Sequence, residues 1–454
     1  MIVRNARVVT LDAANRVLEN AEVEIGGDGT IKRVDAGLGV GDQGLGTPTP
    51  SPRPPTPASD VLDAGGRLLM PALINCHTHL YSTLARGIAL PGPAPRNFPE
   101  ILRKLWWRLD RALNPDDVYY SALVGLVDAA KSGVGTLVDH HSSPNACAGS
   151  LDQLERAFRE VGLRGVLCYE TSDRDGPATA RAALDENVRF IEHVRAERDG
   201  MIGASFGLHA SFTLSDRTLR RAVEADRSLG AGFHIHVAED RSDLDDARHR
   251  HGKTVVRRLR DLGVLTDRAL AAHCIHVTAA DIAALAALGA NVVHNPQSNS
   301  NNAVGVAKLV ELIRAGVVVG LGSDGYSPRM WEEFKTAFHL QKVRTRDPRV
   351  GYAEAYAAAL LNNRVIARKL WGMEIGRVEP GARADLVVID YYPPTPLRPD
   401  NLFGHVLFGI ANAPIDTLVV NGRIVVREQR CLTVDERAVA ERARRQAKAL
   451  WERF

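Results

Sequence analysis

The chain has 454 residues, 45% hydrophobic and 24% charged, an ordinary globular composition with room for one large domain or two to three smaller ones. Its 57 basic and 54 acidic residues are spread along the chain and leave a net charge of +3, which argues against a nucleic-acid or membrane-surface partner held by bulk charge. Cys76, Cys147, Cys168, Cys274 and Cys431 are odd in number and form no Cys-x-x-Cys, the N-terminal stretch has no apolar signal core, and no run approaches the roughly 18 apolar residues of a membrane span; a cytoplasmic protein with reduced thiols is expected.

Residues 1–36 read as short alternating strands with turns, Ile2 to Leu11, Ala21 to Ile25 and Thr30 to Val34, which is the pattern of a small β-domain. Residues 37–59 are rich in Gly, Pro, Ser and Thr and hold nothing to bury, so a mobile surface loop is expected there. From Leu68 to about Leu370, short apolar runs alternate with amphipathic helical stretches such as Asp281 to Leu288 and Lys308 to Ala315. The runs at 68–77, 134–140, 164–170, 201–208, 232–237, 269–273, 290–295 and 317–323 are the candidate strands. Eight parallel βαβ units are the number that closes a barrel; a doubly wound open sheet is the alternative, but no Gly-x-Gly-x-x-Gly fingerprint follows a first strand. After Gly376 the pattern returns to strands, with Asn421-Gly422 as a hairpin turn between apolar runs. The expected architecture is therefore an α/β protein, a TIM-type (β/α)8 barrel with a small composite β-sandwich built from both termini. Its expected parts are 1–66 and 376–434 for the sandwich, 67–375 for the barrel and 435–454 for a basic amphipathic C-terminal helix.

The chemistry is expected at the C-terminal ends of the barrel strands. His-x-His occurs three times, and two of the pairs, His77/His79 and His234/His236, end apolar runs, whereas His249/His251 sits in a charged stretch and reads as solvated helix surface. Alternation along a strand puts His77 and His79 on one face. Glu239 follows His236 by three residues, His273 ends strand six and Asp324 ends strand eight. Three histidines and one carboxylate suit a divalent zinc or ferrous ion with a position left open for water, so His77, His79, His236 and Asp324 are the candidate ligands. Such an ion lowers the pKa of its water and generates a hydroxide nucleophile. Glu239 is then the candidate proton shuttle, and His273 the group that orients the hydroxide and steadies a developing oxyanion.

The motifs His77-x-His79, His234-x-His236-x-x-Glu239, Ala272-His273-Cys274, Asn295-Pro296-x-Ser298-Asn299 and Gly322-Ser323-Asp324-Gly325, in this order, resemble the amidohydrolase superfamily. Pro380-Gly381-Ala382-Arg383-Ala384-Asp385-Leu386 and Val420-Asn421-Gly422-Arg423 resemble its re-entry into the composite β-domain, so the likeness covers nearly the whole chain apart from 37–59. Within the superfamily the chain is similar to the branch of guanine deaminase, chlorohydrolases and adenosine-derivative deaminases. Leu105-Trp106-Trp107-Arg108-Leu109-Asp110-Arg111 and Asp139-His140-His141-Ser142-Ser143-Pro144 bring it nearest to the SsnA group of aminohydrolases. The resemblance implies one metal ion, because strand four reads Gly207-Leu208-His209-Ala210 without the lysine of binuclear relatives. It also implies that Asp324 takes a proton from metal-bound water, that Glu239 protonates a heterocycle's ring nitrogen, that ammonia leaves, and that His209 contacts the substrate.

Tyr81, Trp107, His141 and Gln297 join His209 as candidate substrate contacts, while Leu102, Leu105, Trp106, Leu109 and Leu113 form a helical stripe that reads as core. The expected activity is deamination of a purine-like or related nitrogen heterocycle. Hydrolysis of a cyclic amide or another C–N or C–Cl bond in the same site is the alternative, and a non-catalytic barrel would have lost ligand positions that are all filled here. A small-molecule substrate and a homo-oligomer of two or more copies are the expected partners.

Overall fold

The computed structural model describes residues 1–36 and 61–454, so the loop expected over 37–59 lies outside the described residues. In chain order the first strands are β1 (Ile2–Val9), β2 (Val17–Ile25), β3 (Ile31–Asp35), β4 (Val61–Asp63) and β5 (Leu68–Pro71). Next come β6 (Leu73–Thr78), β7 (Val134–His141), β8 (Arg164–Tyr169), β9 (Ile202–Ala204), β10 (Phe206–Ala210), β11 (Phe233–Val237), β12 (Leu270–His273), β13 (Asn291–His294) and β14 (Val318–Leu321). The last are β15 (Leu386–Ile389), β16 (Ile415–Val420), β17 (Arg423–Arg427) and β18 (Arg430–Cys431). The chain divides into two compact units, Met1–Ala72 with Glu374–Arg430, and Leu73–Met373 with Cys431–Phe454.

The first unit is built on one mixed sheet in the order β18-β17-β16-β15-β5-β1-β2-β3, with β4 paired to β1. Strands from the two ends of the sequence meet at β5, which runs parallel to β1 and antiparallel to β15. Both halves of the sheet enclose a common core that includes Val3, Val8, Val23 and Ile31 from one end and Leu386, Val388 and Val419 from the other. On β2 the alternation is visible in burial: Ala21, Val23 and Ile25 are buried while Glu22 and Glu24 are half-buried on the other face. Asn421 and Gly422 form the turn between β16 and β17 with φ of 50° and 76°, the left-handed backbone that a two-residue hairpin of this kind requires.

The second unit is the (β/α)8 barrel. Its strands form two parallel runs, β6-β7-β8-β9 and β10-β11-β12-β13-β14, closed into a ring by the bridges Thr171 to Leu208 and Thr78 to Asp324. The helices between strands carry the expected stripes; in Ser150–Val161, for example, Leu151, Leu154, Phe158 and Val161 are buried. The C-terminal helix Glu436–Arg453 belongs to this unit. It buries Val439, Ala443 and Leu450, and its Gln446 and Arg453 bond the buried carboxylate of Asp117. No helix among the described residues is long and apolar enough to cross a membrane.

Two strands differ from expectation. The apolar run at 68–77 serves two sheets rather than one: Ala72 N donates to Asp385 O in the first unit, and Leu73 N donates to Gly133 O in the barrel. The boundary expected at 66/67 accordingly falls between Ala72 and Leu73. The run at 201–208 is interrupted at Ser205 and continues to Ala210, so the fourth stave consists of β9 against β8 and β10 against β11.

Side-chain amides complete hydrogen bonding at both seams of the ring. Between β8 and β10, the buried Asn187 Oδ1 accepts from Tyr169 N and Gly207 N, both at 3.0 Å, and its Nδ2 donates to Tyr169 O at 2.8 Å. Gly207 is required there, since a Cβ would lie 2.2 Å from Tyr169 O. Between β14 and β6, Asn363 Nδ2 donates to Ile74 O (2.6 Å) and Leu321 O (3.0 Å), and Asn75 exchanges hydrogen bonds with Ser323. Asn187→Ala would leave two buried N–H groups without an acceptor, at roughly 1–3 kcal/mol each. It is expected to lower the calorimetric unfolding midpoint by several degrees, and an unchanged midpoint would remove the seam role.

Candidate metal centre and cavity

At or just past the C-terminal ends of β6, β11, β12 and β14, the chain brings His77, His79, His236, His273 and Asp324 to one place, all of them buried. His79 Nε2 lies 3.2 Å from His236 Nε2 and 3.0 Å from Asp324 Oδ1. His77 Nε2 is 3.7 Å from the same oxygen. His273 Nε2 stands 3.9 Å from Asp324 Oδ2 and 3.6 Å from Glu239 Oε2.

The outer nitrogens of the rings are already committed. His79 Nδ1 donates to His140 O at 2.5 Å and His236 Nδ1 donates to His209 O at 2.8 Å, so each neutral ring turns an unprotonated Nε2 toward the centre. His77 Nδ1 meets His234 Nε2 at 2.8 Å, while His77 Nε2 is buried without a hydrogen-bond partner. Two lone pairs facing each other at 3.2 Å repel unless something positive lies between them, and that separation suits two nitrogens on one tetrahedral ion with bonds of about 2.0–2.1 Å. The donor set therefore fits a divalent cation.

Electrostatics point the same way. Burial alone would raise the Asp324 carboxyl, but His77 and His79 hold it well below the usual carboxylate range. Burial works against charging His79, yet the adjacent Asp324 lifts it to about 9, whereas burial pulls His77 down to about 3. The cluster thus favours one positive charge beside Asp324: a proton on His79 Nε2, which a bound cation would displace to leave the neutral ring as a ligand. Glu239 is pushed well above the usual range by burial and by the Asp324 charge, and Glu170 is raised by burial to about 7.

The backbone that presents these groups is strained. Ala238, His273, Cys274 and Asp324 have φ of 48°, 71°, 50° and 57°, conformations that cost non-glycine residues about 1–3 kcal/mol each. Hydrogen bonds hold them: Asp324 N donates to His77 O, His79 N to Asp324 O, Cys274 N to Val237 O and His276 N to Ala238 O.

A cavity open to solvent rises from this floor. Phe98, Leu102, Trp106, Trp107 and Phe212 form an apolar wall, and Tyr81, Asp110, Glu170, Arg174 and His209 also line it. Leu102–Trp106 is a π-helical turn in which Trp107 N donates to Leu102 O. Leu102 and Trp106, both expected as core, share the cavity wall with Trp107.

Of the candidate substrate contacts, Tyr81, Trp107 and His209 line the cavity and two do not. His141 is fully buried behind the wall, with Nε2 on Ser143 Oγ at 2.8 Å and its ring edge-on to Tyr81. Gln297 starts a short helix, Pro296–Asn301, and its N–H donates to Glu333 away from the cavity, while its neighbour Ser298 reaches in and bonds Asp324 Oδ2. His249 is exposed on the helix Arg241–His251, as expected of a charged stretch. The sequence reading missed Glu170, whose carboxylate lies 3.4 Å from both His79 Nδ1 and His140 Nδ1. It directly follows β8, and the rule that found the histidines, a polar residue at or just past a barrel strand's C-terminal end, would have found it too.

Residues 68–425 match the model of the amidohydrolase family. The chain belongs to the amidohydrolase family. It is 31% identical over 451 residues to the 5-methylthioadenosine/S-adenosylhomocysteine deaminase of Pelotomaculum thermopropionicum, covering 98% of each chain. It is 34% identical over 396 residues to the 5'-deoxyadenosine deaminase of Methanothermobacter thermautotrophicus, covering 86% of this chain and 89% of the relative. Among solved structures, an adenosine deaminase from Xanthomonas campestris with bound zinc superposes with a TM-score of 0.83 at 23% identity, covering 99% of this amidohydrolase and 98% of the other chain. The protein is a metal-dependent aminohydrolase, a hydrolase of carbon–nitrogen bonds other than peptide bonds that deaminates a nitrogen heterocycle. Removing the imidazole that faces His79 is expected to empty the centre: His236→Ala should retain less than about a tenth of the wild-type metal by elemental analysis, in line with the loss of a primary ligand. Unchanged metal content would dismiss His236 as a ligand.

Proposed function

We propose that this aminohydrolase acts on adenine nucleosides, replacing the exocyclic amino group of the base by oxygen and releasing ammonia at a mononuclear zinc centre. His77, His79, His236 and Asp324 would hold the ion. Support for one ion comes from β10, which reads Phe206-Gly207-Leu208-His209-Ala210 and offers no lysine to bridge a second. Support for the substrate comes from relatives named as deaminases of adenosine derivatives that match this chain over most of its length.

The observation that carries the chemistry is the placement of two carboxylates on either side of one imidazole at the cavity floor, Glu239 at 3.6 Å and Asp324 at 3.9 Å from His273 Nε2. When bound, the cation supplies Lewis-acid activation of water, lowering its pKa toward neutrality. Asp324 accepts the proton that the attacking water loses. Glu239, kept protonated by burial, donates to the ring nitrogen next to the carbon under attack; the amino group then takes the proton held by Asp324 and departs as ammonia, while the new hydroxyl gives its proton to Glu239. His273 Nδ1 donates to Asn299 Oδ1 at 2.8 Å, so the neutral ring presents Nε2 as an acceptor. Its role is then to orient the water, not to donate to an oxyanion. The apolar wall, with Trp106 and Trp107, excludes solvent and gives a planar base surfaces on which to pack.

Ammonia release from adenosine, 5'-deoxyadenosine and methylthioadenosine, measured on protein of known metal content, tests this reading. Turnover of at least one nucleoside is expected, and none from any of them would discard the substrate class. Glu239→Gln should keep its metal and its fold while kcat/KM falls about 10²–10⁴-fold. Ammonia release at the wild-type rate would end the proton-shuttle assignment.

A further inference from the structure

We infer that the last turn of the C-terminal helix is a clamp on the cavity wall: Trp451, Arg453 and Phe454 fix the two short segments that carry Tyr81 and Trp107, and so set how tightly the site holds its substrate. The clamp rests on the reading above that the heterocycle occupies the cavity over the metal centre. None of the three residues lines that cavity, so they are positioning residues and touch no substrate.

The two segments have little of their own to hold them. Leu80–Ala85 is a short stretch of 3-10 helix that directly follows the candidate ligand His79 and brings Tyr81 and Ser82 to the cavity. Its start is tied to the barrel, where Leu80 N donates to Asp139 Oδ1 and Leu80 O accepts from Ser121 Oγ, both at 2.7 Å. Trp107–Ala112 is a helix of six residues that brings Trp107 and Asp110 to the cavity. Helices that short are marginal unless packing holds them. The Trp107 indole N–H is buried without a hydrogen-bond partner, so no hydrogen bond of its own fixes the ring.

The C-terminal helix supplies the missing hold. Trp451 Nε1 donates to Leu84 O at 2.8 Å, at the far end of the first segment. Arg453 Nε donates to Ala112 O at 3.2 Å, satisfying a carbonyl of the kind that a helix end leaves without an intrahelical partner. Arg108, next to Trp107, donates through Nη2 to Phe454 O at 2.5 Å, and its guanidinium lies over the Phe454 ring, 4.6 Å from the centroid. One turn of helix thus grips both segments. The rest of the helix is anchored separately on Pro115–Lys131, through Lys131 to Glu436 near its start and Gln446 to Asp117 farther along. The candidate ligands His77, His79, His236 and Asp324 stand on or just past barrel strands, so loosening the clamp leaves the chemistry in place. A wall that the substrate itself has to order weakens binding by the free energy of that ordering.

The test compares metal-loaded wild type with Trp451→Phe, with Trp451→Ala combined with Arg108→Ala, and with Lys131→Ala, which loosens the same helix at its other end. The readouts are kcat and KM for an adenine nucleoside, metal content and amide hydrogen exchange. The double variant should raise KM about 10-fold or more, with kcat within about threefold and metal unchanged, the pattern of lost binding. Trp451→Phe keeps an aromatic ring and loses the N–H, and should raise KM about threefold. In both, exchange should quicken over residues 80–86 and 107–113 and keep its wild-type rate in the barrel strands. Lys131→Ala should leave KM unchanged. Unchanged KM in the double variant, an equal rise in Lys131→Ala, or exchange that quickens as much in the barrel strands would overturn the clamp. If the double variant does not fold, Trp451→Phe decides by the same readouts. No turnover of any adenine nucleoside would count against the substrate reading, and the exchange pattern would then decide the clamp alone.

Discussion

The hydrogen bonds between His77 and Asp324 join the first barrel strand to the last and, in the same few ångströms, assemble the centre. His77 O accepts from both Ser323 N and Asp324 N at 2.9 Å, and Asp324 O accepts from His79 N and from Thr78 Oγ1. The φ of 57° at Asp324 turns its carboxylate back over β6, where it meets His79 Nε2. Only a closed ring can sustain that conformation, because the bonds holding it come from the opposite end of the barrel's sequence. Closure and ion binding are therefore one interaction: the seam that lacks a continuous ladder is the place where the ligands converge.

Around that seam the imidazoles are sorted by what their second nitrogen touches. His79 and His236 spend Nδ1 on backbone carbonyls and so offer Nε2 inward. His77 spends Nδ1 on His234, whose ring stacks on His140 with centroids 4.3 Å apart. His273 spends Nδ1 on Asn299. Where the partner is a carbonyl or amide oxygen, as for His79, His236 and His273, the commitment fixes a tautomer, and a fixed tautomer converts a flexible, titratable ring into a directed donor. The carboxylates are sorted by company. Asp324 lies against imidazoles and stays ionised, whereas Glu239, buried beside Asp324, holds its proton, so the floor carries a base and an acid within reach of one reacting atom. Above them an apolar wall faces Tyr81, Asp110, Glu170, Arg174 and His209, with Asp110 bonded to Arg174.

Much of this was legible in the residues taken in order. Alternation along a strand put His77 and His79 on one side, and the apolar runs of the barrel were long and regular enough to count to eight. The ordered set of His-x-His, His236 with Glu239, Ala272-His273-Cys274 and Gly322-Ser323-Asp324 pointed to the family. Where the reading failed, the cause was a neighbour distant in sequence. Nothing local marks Ala72 as the place where one apolar run passes from one sheet to another, since Asp385 and Gly133 make that choice. Leu102 and Trp106 lie on a helical stripe that periodicity alone reads as core, and only the packing of other segments around that stripe makes them cavity wall. His141 and Gln297 stand beside residues that do reach the site, yet His141 bonds Ser143 instead and Gln297 is not among the residues that line the cavity.

By itself the sequence determined the inventory: which side chains can bind an ion, which strands repeat, and which end of each strand carries chemistry, because periodicity and residue type are local properties of the chain. Tertiary structure alone decided the partners. Asn187 and Asn363 seal the two seams, Glu170 approaches His79 and His140, and Asp110 claims Arg174 because packing brings together groups as many as 289 positions apart in sequence. Hydrogen bonds and ion pairs act over a few ångströms of space, and distance along the chain carries no record of them until the barrel has closed.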